Sequence, residues 1–239
     1  MDFKLENRIY YSANSEENVG VLFIMESPFV DELNSFNPCP CMGYSGVVMS
    51  NALNLGNQAF GKVLAEDAGR KYAVYETFNF ALDTRVCAKL KGFYSPENVY
   101  KFWDSHDIPW CGLKIQDMLT GAKLYKESLD SHKGYDRKKH YKSLWDFISC
   151  IDEKVKDKFF YDYRSVLTPV LTKELFPNLK EIVISGYIAQ SVFLMAFEEI
   201  IPPFKTRFNM KGFGTTTVFV EHPSSVREGG VWSYPNKIK

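Results

Sequence analysis

Four short apolar runs, separated by longer stretches with helical spacing, constrain this chain more than any other feature. They are Val19 to Met25, Tyr72 to Phe78, Glu181 to Ser185 and Thr216 to Val220. Each is about 5–7 residues long and β-branched or aromatic in character, as in central strands covered on both faces. Val47 to Ala68 repeats apolar residues at three- and four-residue intervals (Val48, Ala52, Leu55, Ala59, Val63), interrupted by Gly56 and Gly61. Pro96 to His106 opens with Ser95 as N-cap, Pro96 at the first helical position and Glu97 behind it. Lys142 to Val155 and Ile188 to Glu199 are further amphipathic candidates. Strand alternating with helix predicts an α/β fold: a three-layer α/β/α sandwich around a central, mostly parallel four-stranded sheet. No repeat, low-complexity tract or Pro/Ser-rich linker divides residues 1–239, which read as one domain.

Composition narrows the class. At 45% hydrophobic and 15% aromatic the chain can bury a sizeable core. Lys and Arg balance Asp and Glu at 29 each, so no large positive total argues for nucleic acid, although local patches stay open. Residues 1–66 carry three Lys/Arg against eight Asp/Glu, whereas residues 205–239 carry six against two, a locally basic stretch able to meet phosphates. Residues 131–142 interleave cations with aromatics, which suits either a strand-tracking loop or a solvated surface. No apolar stretch approaches the roughly 20 residues needed to cross a bilayer, so no membrane partner is expected. The opening MDFKLENR lacks the apolar core of a signal peptide, and five cysteines without framework spacing suit a reducing compartment. The expected location is the cytoplasm.

In parallel sheets ligands bind beyond the carboxyl ends of the strands, so the residues that follow each run carry the functional reading. The first ends in Met25-Glu26-Ser27-Pro28-Phe29, the second in Thr77-Phe78-Asn79, the third in Ser185-Gly186-Tyr187 and the last in Glu221-His222-Pro223-Ser224-Ser225. A carboxylate, a carboxamide and an imidazole are thereby expected on one rim. These motifs, with Pro40-Cys41-Met42-Gly43-Tyr44-Ser45-Gly46 and Gly186-Tyr187-Ile188-Ala189 between them, occur in the order found in the uracil-DNA glycosylase superfamily, which the chain resembles over most of its length. Met25-Glu26-Ser27-Pro28 looks most like the glutamate-bearing branch that often carries an iron–sulfur cluster. Arg227 stands where relatives often place a basic or intercalating residue.

The departures are specific. Met25 and Phe29 replace the glycines that flank the first motif. Cys41 stands where relatives stack an aromatic on the base; Phe29, Phe36 and Tyr44 are the aromatics near enough in sequence to substitute. No cysteine precedes Cys39, and Cys87 and Cys111 without a second pair cannot complete a four-cysteine site. Cys39-Pro-Cys41 has one intervening residue, short of the usual ligand spacing, so neither metal nor cofactor is expected. The stretch around 94–178 reads as an enlarged helical insert.

Cleaving an N-glycosidic bond needs charge stabilisation on the departing base and a water directed at the sugar carbon. The resemblance implies a monofunctional DNA glycosylase-like hydrolase, releasing uracil or another modified base, with Glu26 orienting the water and His222 donating to the base as catalytic residues. Ser27, Pro28, Tyr44, Asn79, Ser224 and Arg227 would bind the substrate DNA, single- or double-stranded, Asn79 reading the base edge and Ser224 a phosphate. Each residue also has a plain structural reading. Glu26 could brace a loop, His222 could be locally satisfied, Asn79 could form a turn and Ser224 could cap a helix. A catalytically inactive nucleic-acid-binding protein of the same fold, or a nucleoside or nucleotide hydrolase, are the alternative functions.

Overall fold

Strand β3 (Val21–Met25) shows why these apolar runs keep polar residues to their ends. Leu22 and Ile24 point into one core and Phe23 and Met25 into another, each at most 2% exposed. A strand with hydrophobic partners on both faces has no outward face to fill with polar side chains. A computed structural model describes residues 3–6, 9–26, 40–66, 69–77, 153–197, 207–209, 213–226 and 231–234.

Around β3 lie β4 (Tyr72–Glu76), β5 (Glu181–Ser185) and β7 (Thr216–Val220), all paired in parallel. These are the four runs singled out in the sequence, and they form the centre of an α/β sheet. The sheet itself is larger than the four strands expected. A hairpin of β1 (Phe3–Glu6) and β2 (Ile9–Ser12) adds antiparallel to β4, and β6 (Arg207–Asn209) adds antiparallel to β7. The result is a mixed seven-stranded sheet in the order β1-β2-β4-β3-β5-β7-β6. The three added strands are three or four residues long, too short for a periodic pattern to stand out.

Helices cover both faces. On one, α3 (Glu153–Leu171) and α4 (Tyr187–Ala196) pack Leu167, Val170, Val192 and Phe193 against Leu22, Ile24, Ile182 and Ile184. The Arg164 guanidinium of α3 donates to the Ala196 carbonyl at 3.1 Å, satisfying a free acceptor at the end of α4. On the other face, α1 (Tyr44–Ala52) and α2 (Phe60–Leu64) pack Met49, Phe60 and Leu64 against Phe23, Tyr72 and Val74. Trp232 and Tyr234, from the chain beyond β7, complete this second core, with Phe23 touching both rings and that of Phe60. Among the described residues no helix is long and apolar enough to cross a membrane.

The single helix expected over Val47 to Ala68 is two. The chain turns between α1 and α2, where Asn54 and Gly56 take positive φ of 57° and 90°, a left-handed conformation that no α-helix accommodates. The helix expected from Ile188 to Glu199 is α4, shifted to Tyr187–Ala196. Of the Lys142 to Val155 candidate, residues 142–152 lie outside the described residues, and α3 begins at Glu153. The Pro96 to His106 helix, residues 94–152 of the expected insert and the basic stretch 131–142 also lie outside them.

Gly46 shows how tightly α1 is seated. A Cβ there would overlap the Cys41 carbonyl oxygen, so the loop before α1 closes only because this position lacks a side chain. Cys41 itself takes φ 56°. Gly46→Ala should therefore lower stability by about 1–3 kcal/mol through overpacking. Urea denaturation of the variant beside the parent chain measures it; an unchanged midpoint would contradict the packing described.

Candidate functional site

The order of the parallel strands decides where a site can form. From β3 the chain goes first to β4 on one side and later to β5 on the other. Helices α1 and α2 follow β3 on one face and α4 follows β5 on the other, and such a reversal is where open α/β sheets form a binding crevice, beyond the carboxyl ends of the strands. Glu26 directly follows β3, and Gly186 directly follows β5.

Glu26 is half-buried and its side chain lies across Gly186, where a Cβ would overlap the carboxylate. Gly186 has φ 89°, a left-handed conformation natural to glycine, and its N–H donates to the Val220 carbonyl at 3.0 Å. Helix α4 starts at the next residue, so the carboxylate sits beside the amino end of a helix, a favourable place for negative charge. One glycine thus allows the turn into α4, the link to β7 and the passage of Glu26.

His222 stands two residues past the end of β7 and caps a 3-10 turn, Pro223–Ser225. Its Nδ1 accepts the Ser224 backbone N–H at 3.2 Å and lies 2.6 Å from the Ser224 hydroxyl. A backbone N–H can only donate, so Nδ1 is an acceptor and the hydroxyl donates as well. The neutral ring then carries its proton on Nε2, which is left as the donor. Main-chain atoms steady the ring further: the His222 carbonyl accepts from the Ser225 N–H at 2.9 Å and the Ser225 hydroxyl at 2.7 Å.

Glu26 and His222 therefore share one edge of the sheet. Strand β5 lies between β3 and β7, so two strand spacings, about 9.5 Å, separate the backbones that carry them. Ser224 joins the site by orienting the imidazole, its N–H and hydroxyl both turned to Nδ1. Tyr44, the first residue of α1, is 52% exposed, and α1 packs against the Pro223–Ser225 turn. Cys41 is buried in the core under α1. Ser27, Pro28, Asn79 and Arg227 lie outside the described residues, as do Phe29 and Phe36.

No protein-family model, curated protein or solved structure matches this chain.

Residues not singled out in the sequence hold the strand ends together. Gln190 of α4, 4% exposed, donates its side-chain amide to the Val220 carbonyl at 2.7 Å and the Ile184 carbonyl at 3.3 Å. It bridges β5 and β7 where their own pairing stops. A glutamine in the largely apolar run Ile188-Ala189-Gln190-Ser191-Val192-Phe193 was the available signal, since a buried amide in such a helix must find polar partners. Glu76, at the end of β4 and 3% exposed, pairs in register with Met25 and brings another carboxylate to the same edge.

Gly186→Ala should reveal how closely the edge is packed. The added methyl displaces the Glu26 side chain and forces a left-handed conformation on a residue with a Cβ, so stability should fall by about 1–3 kcal/mol. Thermal unfolding monitored by circular dichroism reads the loss. A melting temperature equal to that of the parent protein would contradict the contact between Glu26 and Gly186.

Proposed function

We propose that this protein is a monofunctional DNA N-glycosylase of the uracil-DNA glycosylase type, a hydrolase that releases uracil or another modified base from an extruded nucleotide. The observation that carries the reading is that Glu26 and His222 follow β3 and β7, two strand positions apart at the carboxyl end of one sheet, with His222 Nδ1 occupied by Ser224. In this reading the base and its sugar lie beyond the strand ends, between a carboxylate carried by β3 and an imidazole N–H carried by β7. The ordered motifs from Glu26 to His222-Pro223-Ser224 support the same family.

In this reading the extruded nucleotide enters the crevice with its sugar toward Glu26 and its base toward His222. The Glu26 carboxylate accepts a hydrogen bond from a water and aims it at the anomeric carbon. It also faces the positive charge that develops as the glycosidic bond lengthens. His222 Nε2–H donates to an oxygen of the departing base as negative charge builds there. The fixed acceptor role of Nδ1 keeps that donor in place without rearrangement during reaction. Extruding a base costs a few kcal/mol, least for damaged, mismatched or single-stranded positions, which sets the expected substrate preference.

His222→Ala should cut base release by about 10²–10³-fold, the usual loss for one donor to a developing anion. Glu26→Gln should lower it by about 10²-fold or more while affinity for the oligonucleotide holds or rises, because the lost charge acts mainly in the transition state. The assay is single-turnover cleavage of a fluorescent uracil-containing oligonucleotide, followed by alkali to break abasic sites. Strand breaks without alkali would contradict the hydrolytic step. Failure to release uracil, hypoxanthine, xanthine or methylated bases would overturn the enzymatic reading.

The burial of Cys41, where the resemblance places a stacking aromatic, favours one second reading: a nucleic-acid-binding protein of this type without the chemistry. That protein would bind oligonucleotides in a salt-dependent way, release no base and be indifferent to Glu26→Gln.

A further inference from the structure

The peptide group that leads into His222 is held from two directions. Its oxygen, the carbonyl of Glu221, accepts the Trp232 indole N–H at 2.9 Å and the Ser185 hydroxyl at 3.2 Å. The Glu221 side chain then takes the neighbouring residue of the same segment. Its Oε1 accepts the Ser233 backbone N–H at 2.9 Å, and its Oε2 accepts the Ser233 hydroxyl. Trp232 is 1% exposed and packs on Phe23, with 5.9 Å between ring centroids. Its N–H is therefore a donor with little freedom to turn away. Tyr234 donates its hydroxyl to Glu181 Oε2 at 2.8 Å, at the amino end of β5. Three successive residues, 232 to 234, thus cross one face of the sheet from Glu221 at its carboxyl edge to Glu181 at its amino edge.

We infer that Glu221 is a positioning residue for the His222 imidazole, acting through its grip on residues 232 and 233. The reason is geometric. Ser224 and Ser225 hold the ring and the peptide after it, but both serines are exposed and belong to the same short turn. They fix the ring relative to the turn, not relative to the sheet. The peptide before His222 is the covalent link between that turn and β7, and beside the packing of α1 on the turn its orientation is set by Trp232, Ser185 and the Glu221 carboxylate. Rotating this peptide moves the whole turn, and with it Nε2. A shift of about 1 Å in a reacting group can cost on the order of 100-fold in rate. Glu221 touches no substrate in this account. The positioning role stands on the hydrogen bonds alone, whereas its consequence for catalysis rests on the N-glycosylase reading.

The test reads the ring nitrogens of His222 directly, by long-range nitrogen–proton correlation on protein labelled with ¹⁵N-histidine. His222→Asn assigns the His222 signals. In the parent protein His222 should show an unprotonated Nδ1 and a protonated Nε2. Glu221→Ala should shift both signals toward the averaged values of a free imidazole. It should also lower single-turnover base release by roughly 10–100-fold with little change in oligonucleotide affinity. Glu221→Gln, which keeps an acceptor for the Ser233 N–H, should restore most of both. Trp232→Phe keeps an aromatic ring in the core and removes only the N–H, and Ser233→Ala removes only the hydroxyl. Both should move the His222 signals the same way by a smaller amount, and they serve where Glu221→Ala does not fold. A lowered melting temperature with parental His222 signals in these variants would overturn the proposal and leave Glu221 a structural tie. Shifted signals in a protein that releases no base from any substrate would support the positioning role and sink the glycosylase reading alone.

Discussion

Everything described here depends on one strand having hydrophobic partners on both faces and parallel neighbours on both edges. Strand β3 sends Leu22 and Ile24 toward α3 and α4, and Phe23 and Met25 toward α1, α2 and Trp232. Its backbone pairs with β4 on one edge and β5 on the other. Because the chain must leave β3 toward one side and come back on the other, the connections diverge at its carboxyl end. That is where Glu26 lies. The location of the candidate site is thus a consequence of how the core is built.

At the carboxyl ends of β5 and β7, polar ties replace apolar packing. Strand ends leave carbonyls that no further ladder can satisfy, and a buried carbonyl without a donor costs about 1–3 kcal/mol. The Val220 carbonyl takes donors from Gly186 and Gln190, and the Glu221 carbonyl takes them from Ser185 and Trp232. Each tie is directional, so it fixes orientation as well as proximity. An apolar contact of equal strength would allow the β7 end and its histidine to slide. The same groups that satisfy the backbone therefore also hold His222 relative to Gly186, against which Glu26 lies.

Much of this could be read from the residues. The four central strands stand out because doubly covered strands have no polar face, and their two shared boundaries, 181–185 and 216–220, match the structure. The helix after Gly186 was visible in its small residues and apolar spacing. Helix α3 had a signal too, since Tyr163, Leu167, Val170 and Leu171 recur at helical intervals and all are buried. The sequence placed it only within a helical insert around 94–178, without bounds, and the helix runs through Pro169 to Leu171. The strands β1, β2 and β6 carried too few residues for periodicity to speak.

Local chemistry is set by neighbours in sequence, and there the chain spoke for itself. Alternating strands and helices specified an α/β sheet, and the polar residue after each apolar run had to emerge at the carboxyl edge, because direction is built into a parallel strand. His222 followed by Pro-Ser already contained its own cap, since Ser224 is close enough in the chain to reach Nδ1. Only the tertiary structure decided the order of the strands, which places β5 between Glu26 and His222. It also brought Trp232 and Ser233 onto Glu221 and Gln190 onto Val220. These contacts join residues whose separation along the chain carries no information about their distance in space. They form because burying the apolar faces of β3, β5 and β7 leaves one way to satisfy the backbone groups at their ends.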